Sequence, residues 1–197
     1  MNGNGIVPVG CVVMAAGNAA RFGENKLQAV INGRTLIRRA LDAVPAEKLA
    51  AVCVVTQYDR IAELAEEYGF LCVRNDRPEL GVSHTIRLGT EALRDKCGAI
   101  VYQVADQPLL RRESVSAMLD VYLAAPDRIV AMAHGGVRGN PCVFPADLFP
   151  ELCALTGDTG GSAVIRRHPE RLRLFETEAL ELADVDTPEK LNELSEK

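Results

Sequence analysis

No apolar run in this 197-residue chain approaches the roughly 20 residues that a membrane-spanning helix needs. The stretch from Met1 to Pro8 also lacks the basic, apolar and small-residue order of a signal peptide. A cytoplasmic protein without a membrane partner is therefore expected. Positive charge is in deficit, 22 Lys and Arg against 27 Asp and Glu, and the net charge of −5 argues against a broad nucleic-acid surface, which needs many cations facing phosphates. No two of the six cysteines, Cys11, Cys53, Cys72, Cys97, Cys142 and Cys153, form a Cys-x-x-Cys pair, so neither structural zinc nor a disulfide framework is expected. No Ser/His/Asp or Cys/His nucleophile signature occurs. His84 reads as an exposed first-turn residue, and His134 and His168 carry no spacing signal.

What is present is an ordinary globular composition, 48% hydrophobic and 25% charged, which favours one folded domain spanning residues 1–197. Short runs rich in Val and Ile at 9–15, 51–55, 70–73 and 99–104 alternate with longer amphipathic stretches. That alternation predicts buried parallel strands joined by crossover helices. Leu36-Ile37, Ala40-Leu41 and Val44 recur at helical spacing, as do Ile61, Leu64-Ala65 and Tyr68. Thr35 and Ser83 stand where N-caps are expected. The second half predicts a helix at 111–124, a strand at 128–133, a Gly-rich turn at 135–139 and a strand at 141–144. Short helices at 146–154 and 160–167 follow, then strands at 171–175 and near 180–185, and a helix from Pro188. The sum is an α/β, Rossmann-like three-layer α/β/α fold with a mostly parallel central sheet. Ligands of such sheets lie outside the carboxyl ends of the strands.

Two unusual loops fall at such ends. Directly after the first strand runs Met14-Ala15-Ala16-Gly17-Asn18-Ala19-Ala20-Arg21-Phe22-Gly23-Glu24-Asn25-Lys26. Its small residues let backbone N–H groups approach a phosphate chain, and Arg21 and Lys26 supply neutralising charge; the bland alternative is a tight turn with two solvated cations. The glycine spacing fits neither the ATPase phosphate loop nor the dinucleotide-binding fingerprint, which disfavours an NAD-dependent oxidoreductase. After the fourth strand, Ala105-Asp106-Gln107-Pro108 places a carboxylate suited to Mg²⁺, which takes one or two carboxylates plus the phosphates of its nucleotide. A turn-forming aspartate would look the same in isolation. Near the end of the chain, Asp184 and Asp186 lie on one side of an extended segment, and could complete a metal site, although Asp186 is also well placed to cap the following helix.

Taken together, Ala-Ala-Gly-x-x-x-Arg-Phe-Gly-x-x-Lys, Ala-Asp-Gln-Pro, the Arg138-Gly139-Asn140-Pro141 turn, Thr156-Gly157-Asp158 and the closing Asp-Val-Asp-Thr-Pro-Glu resemble the MobA-like nucleotidyltransferases. Within them the pattern is most similar to the molybdenum cofactor cytidylyltransferases. The resemblance implies the nucleotide-diphospho-sugar transferase type of fold. It also implies Mg²⁺-dependent transfer of CMP from CTP onto the terminal phosphate of molybdopterin, with Mn²⁺ as an alternative metal. Ala15, Ala16, Gly17 and Ser83 would line the nucleotide, Arg21 and Lys26 the phosphates, and Asp106 the metal, with Asp184 or Asp186 beside it. Arg138, Asn140 and Asp158 would face the pterin. A molybdenum hydroxylase would be the downstream partner. Two departures stand out: Ala19 where the family often has Ser, and Gly160-Gly161-Ser162 where a basic residue is common. A changed acceptor, GTP in place of CTP, or a non-catalytic carrier of nucleotide or cofactor are the competing readings.

Overall fold

In the computed structural model the described residues are 7–17 and 25–196; Asn18 to Glu24, and with them Arg21 and Ala19, lie outside that set. The first strand, β1 (Val9–Ala15), is followed by a small hairpin, β2 (Val30–Ile31) and β3 (Arg34–Thr35), then α1 (Leu36–Asp42), β4 (Ala51–Thr56), α2 (Asp59–Glu67) and β5 (Leu71–Arg74). Next come α3 (Val82–Leu93), β6 (Ala99–Val104), α4 (Arg112–Leu123), β7 (Ile129–His134) and β8 (Val137–Pro145). Helices α5 (Phe149–Cys153) and α6 (Ser162–Arg167), strand β9 (Leu172–Glu176) and helix α7 (Pro188–Ser195) complete the order.

The seven-stranded sheet runs β5-β4-β1-β6-β8-β7-β9. β1 pairs in parallel with both β4 and β6, β7 is parallel to β9, and β8 is antiparallel to β6 and β7. The mostly parallel sheet expected from the Val-rich runs is therefore present, and each central strand feeds both faces. Cys11, Val13, Val54 and Val101 pack under α1, α2, α4 and α7, whereas Val12, Cys53, Val55 and Tyr102 pack under α3, α5 and α6. Four cysteines are buried, and all six are free thiols. From β1 the chain first crosses to β4 and β5 on one side, then to β6 on the other, so β1 and β6 border the switch point where such folds open a crevice.

Several expectations need correction. The segment near 180–185 is not a strand: Ala179–Leu182 forms a 3-10 turn, because Leu180 and Leu182 both pack on the core that α4 and α7 share, a spacing that a turn satisfies as well as a strand does. Arg138 to Pro141 belongs to β8 and not to a turn; the reversal is made by Gly135 and Gly136, at φ +57° and +78°. Ser83 lies inside the first turn of α3, with Gly81 at the cap position. Asp186 does not cap α7; Thr187 does, its hydroxyl accepting from Lys190 N at 3.2 Å. The predicted helix at 146–154 begins as a 3-10 turn, Ala146–Leu148, before α5. Thr35 caps α1 as expected. The hairpin β2/β3, absent from the expectations above, turns at Asn32-Gly33, with φ +47° and +77°, the dipeptide that two-residue hairpin turns favour.

Candidate active site at the carboxyl ends of β1 and β6

A cleft of about 480 Å³ opens at this switch point, lined by Met14, Val104 and Ala105 at the strand ends and by Ala16, Gly17, Lys26 and Asp106. Its lining also includes Pro78, Glu79, Gly81 and Val82, with Asp158 packed against Gly81. The volume suits a small-molecule ligand of nucleotide size.

The Ala16 and Gly17 lining is held by a ladder that sequence reasoning missed. Thr56 Oγ1 donates to Ala15 O at 3.0 Å, Gln57 Nε2 to Ala16 O at 2.8 Å and Tyr58 OH to Gly17 O at 3.1 Å. Three successive side chains leaving β4 thus hold three successive carbonyls leaving β1. Fixing the carbonyls on that side orients the peptide planes of Ala15 to Gly17 at the mouth of the cleft. The signal, a polar Thr-Gln-Tyr run ending an apolar strand, becomes meaningful only once β1 and β4 are known to pair with Ala15 opposite Thr56.

The lining from Pro78 to Val82 rests on Gly81. Its φ of +82° and ψ of −175° lie in a region open essentially to glycine alone. A Cβ there would also stand 2.4 Å from Gly157 C and 2.6 Å from Asp158 Oδ1. Ser83 N donates to Gly157 O at 3.2 Å, so the loops before α3 and before α6 pack together on one side of the cleft. Ser83 itself is buried, its hydroxyl 3.5 Å from Leu80 O. His84 Nδ1 stands 2.8 Å from Arg87 Nη2, and burial followed by the Arg87 charge lowers its pKa.

Charge concentrates at one end. Lys26 Nζ donates to Asp106 Oδ2 at 2.6 Å and to Asp186 Oδ1 at 3.3 Å. Burial lowers the pKa of this ammonium, the Asp106 and Asp186 carboxylates raise it by more, and the net direction is upward. Val185 N donates to Asp106 O at 2.9 Å, and Val185 is fully buried; Asp184 and Asp186 flank it. Burial, then the Asp106 charge and, further down, that of Asp186, push the Asp184 carboxyl up to about 6. The two acidic segments therefore converge, although 80 residues of chain separate Asp106 from Lys26 and 160 separate Asp186 from it.

The residues expected on the acceptor side divide. Asp158 lines the cleft. Asn140 lines a second, apolar cavity of about 140 Å³ between β6, β8, α3 and α5, which shares Met14, Val82 and Val104 with the cleft. Arg138, half-buried on β8, donates from Nη1 to Ser162 Oγ at 3.4 Å, and Ser162 lines that cavity.

A family model described as the MobA-like NTP transferase domain matches residues 11–172. The chain belongs to that family. Among its relatives is the purine catabolism protein PucB of Bacillus subtilis (strain 168), 28% identical in an alignment of 192 positions that covers 90% of this chain and 91% of PucB. The MobA-like fold is shared with Rv0371c of Mycobacterium tuberculosis H37Rv, at TM-score 0.82 and 21% identity over 98% of this chain and all of that one. A manganese complex of Rv0371c superposes at 0.79, with 21% identity over 96% of this chain and 98% of that one. CMP:2-keto-3-deoxy-manno-octonic acid synthetase, solved with CTP, superposes at 0.75 with 14% identity over 96% of this chain and 97% of its own. Among the described residues of this MobA-like chain, no helix is long and apolar enough to cross a membrane.

Proposed function

We propose that the protein transfers CMP from CTP to the terminal phosphate of a phosphorylated pterin of the molybdopterin type, releasing pyrophosphate, and that a molybdenum hydroxylase takes up the product. The observation that carries this reading is the convergence of Lys26, Asp106 and Asp186 at one end of a nucleotide-sized cleft. In the reaction an acceptor phosphate oxygen bonds to the α-phosphorus of CTP while the bond from that phosphorus to the bridging oxygen breaks, and the electron pair leaves on pyrophosphate. A phosphate monoester is already largely dianionic near neutral pH, with a second pKa of about 6, so no protein base is needed. The chain's task is alignment and charge.

The residues suit it. Ala15, Ala16 and Gly17, braced by the Thr56 to Tyr58 ladder, would face the nucleotide, Ser83 would brace the loop before α3, and Lys26 would turn from the carboxylates to the triphosphate, joined by Arg21. The donor set also fits a hard divalent cation, because two carboxylates already point at one positive centre. Among the described residues no cluster of three or more metal-ligating side chains occurs, which suits a cation that takes its remaining oxygens from phosphates and water. Asp106 and Asp186, with Asp184 behind them, would hold Mg²⁺ or Mn²⁺, which when bound offsets charge on the triphosphate. The manganese complex of Rv0371c and the CTP complex of the synthetase support this reading by analogy of fold. Asn140 and Asp158 would meet the acceptor, with Arg138 at the rim.

The test is a thermal-shift comparison of CTP, GTP, ATP and UTP with Mg²⁺, on wild type and Asp106→Asn. A ligand at 100 times its dissociation constant stabilises by about 2.7 kcal/mol, a rise of roughly 5 to 10 °C for a chain of this size. The largest shift is expected with CTP and is expected to shrink in Asp106→Asn. A larger shift with GTP would reassign the donor, and no shift with any nucleotide would refute nucleotide binding. CTP binding without pyrophosphate release in the presence of the pterin phosphate would identify a carrier.

A further inference from the structure

Glu181 is a carboxylate with only 2% of its surface exposed, 70 residues of chain away from its main partner. Burying such a group is unfavourable unless it is fully paired, and here it is. Oε2 accepts from Arg111 N at 3.0 Å, and Oε1 accepts from Arg111 Nη2 at 2.8 Å, Ser114 Oγ at 3.0 Å and Thr177 Oγ1 at 2.5 Å. Arg111 occupies the N-cap position of α4 but makes no side-chain cap bond. Glu181 therefore caps α4 from across the molecule, supplying the acceptor that the local sequence lacks.

The same turn touches the site on two further sides. Gln107 Nε2, one residue past Asp106, donates to Leu182 O at 3.3 Å, and Val185 N donates to Asp106 O at 2.9 Å. Leu182 also packs against Gly139, where an added Cβ would stand 3.1 Å from its Cδ1. The loop from Asp106 to Arg111 and the segment from Glu181 to Asp186 are thus laced together, and each carries carboxylates of the site. Asp186 needs this lacing, since its side chain is 65% exposed and Thr187 takes the capping role that would otherwise hold it.

We infer that Glu181 is a positioning residue for the transfer site: by anchoring the turn at Ala179–Leu182 to the start of α4, it sets the distance between Asp106 and Asp186. An apolar side chain could fill the same volume but would specify neither the register nor the rotation of the turn. This inference rests on the reading of Asp106 and Asp186 as the metal-binding pair.

The experiment measures formation of the protein–Mn²⁺–CTP complex by electron paramagnetic resonance on the full-length chain. It compares wild type, Glu181→Gln, the double variant Ser114→Ala/Thr177→Val and, as a stability control, Leu64→Ala in α2, a helix at the far end of the sheet. Glu181→Gln is expected to weaken the complex about 10- to 100-fold, the range seen when the partners behind metal ligands are removed. The double variant is expected to weaken it less, in the same direction, while Leu64→Ala loses melting temperature and keeps wild-type affinity. Wild-type affinity in Glu181→Gln overturns the inference and leaves the active-site reading standing. Should Glu181→Gln not fold, unchanged affinity in the double variant overturns it equally. Absence of the complex in wild type would overturn both readings together.

Discussion

Lys26 holds a position in which one ammonium serves two carboxylates, and the proposed reaction asks it to leave both. The ammonium neutralises the pair, so on the proposed reading a divalent cation is expected to enter together with phosphates that give Lys26 a new partner. Replacing Lys26 with Met should therefore tighten Mn²⁺ binding in the absence of nucleotide by roughly tenfold, about 1.4 kcal/mol, while weakening the CTP-induced thermal shift. Equal or weaker Mn²⁺ binding, read by the same resonance method, would rule the substitution of charges out. Thr56 makes a second prediction at this scale. Thr56→Val keeps the shape but leaves Ala15 O without its buried donor, a loss of about 1–3 kcal/mol to be measured by denaturant unfolding, and the CTP shift should fall with it because the ladder braces Ala15 to Gly17 at the cleft. Lys26 and Asp106, which the structure brings to 2.6 Å of each other, stand out in the sequence because each lies in an unusual loop after a strand, where residue type alone suggests chemistry. Thr56 and Glu181 do not, since a Thr ending a Val-rich strand and a Glu between two leucines acquire meaning only from strand register and from a contact 70 residues away.

At the scale of elements, the strands that could be read were those with both faces buried. β1, β4 and β6 appear as largely apolar runs because helices cover each side of the sheet, and their short length and Val/Ile content separate them from buried helix segments. The reading failed where alternation was short. Leu180 and Leu182 satisfy a strand period over too few residues to separate it from a 3-10 turn, and the Asp186 and Ser83 caps went to neighbours because a cap depends on which residue first leaves helical geometry. Gly81 shows what such a boundary does. Its backbone admits essentially glycine alone, and it holds the Pro78 to Ser83 loop against Gly157. Gly81→Ala should cost about 1–3 kcal/mol in strain and should lower CTP affinity through the opened cleft wall. Thr187→Ala, which removes only the cap of α7, should lose about 0.5–2 kcal/mol. Calorimetric unfolding together with CTP titration separates the two: a Gly81→Ala protein that is destabilised but binds CTP normally would show that the loop contact does not shape the site.

Across the whole molecule, the first half supplies the strand ends and Lys26, and the second half closes back on them through β8, β9 and the turn at Glu181. That closure depends on buried charge, so it should be sensitive to acid. Burial raises the pKa of Glu181, but Arg111 through its guanidinium and backbone N–H, Thr177 and Ser114 lower it by more, and the net direction is downward. A carboxyl that titrates lower in the folded chain than its unfolded value of about 4.3 stabilises the fold fully above that value and ceases to do so as pH falls through the folded pKa. Wild type should therefore lose melting temperature on acidification faster than Glu181→Gln, which has no proton to take up at this position. The gap in melting temperature between the two should be widest above about pH 5 and should narrow steadily below about pH 4. A gap that stays constant to the lowest pH at which both proteins fold would mean that Glu181 anchors the second half by packing alone and that its charge is not what holds the two halves together.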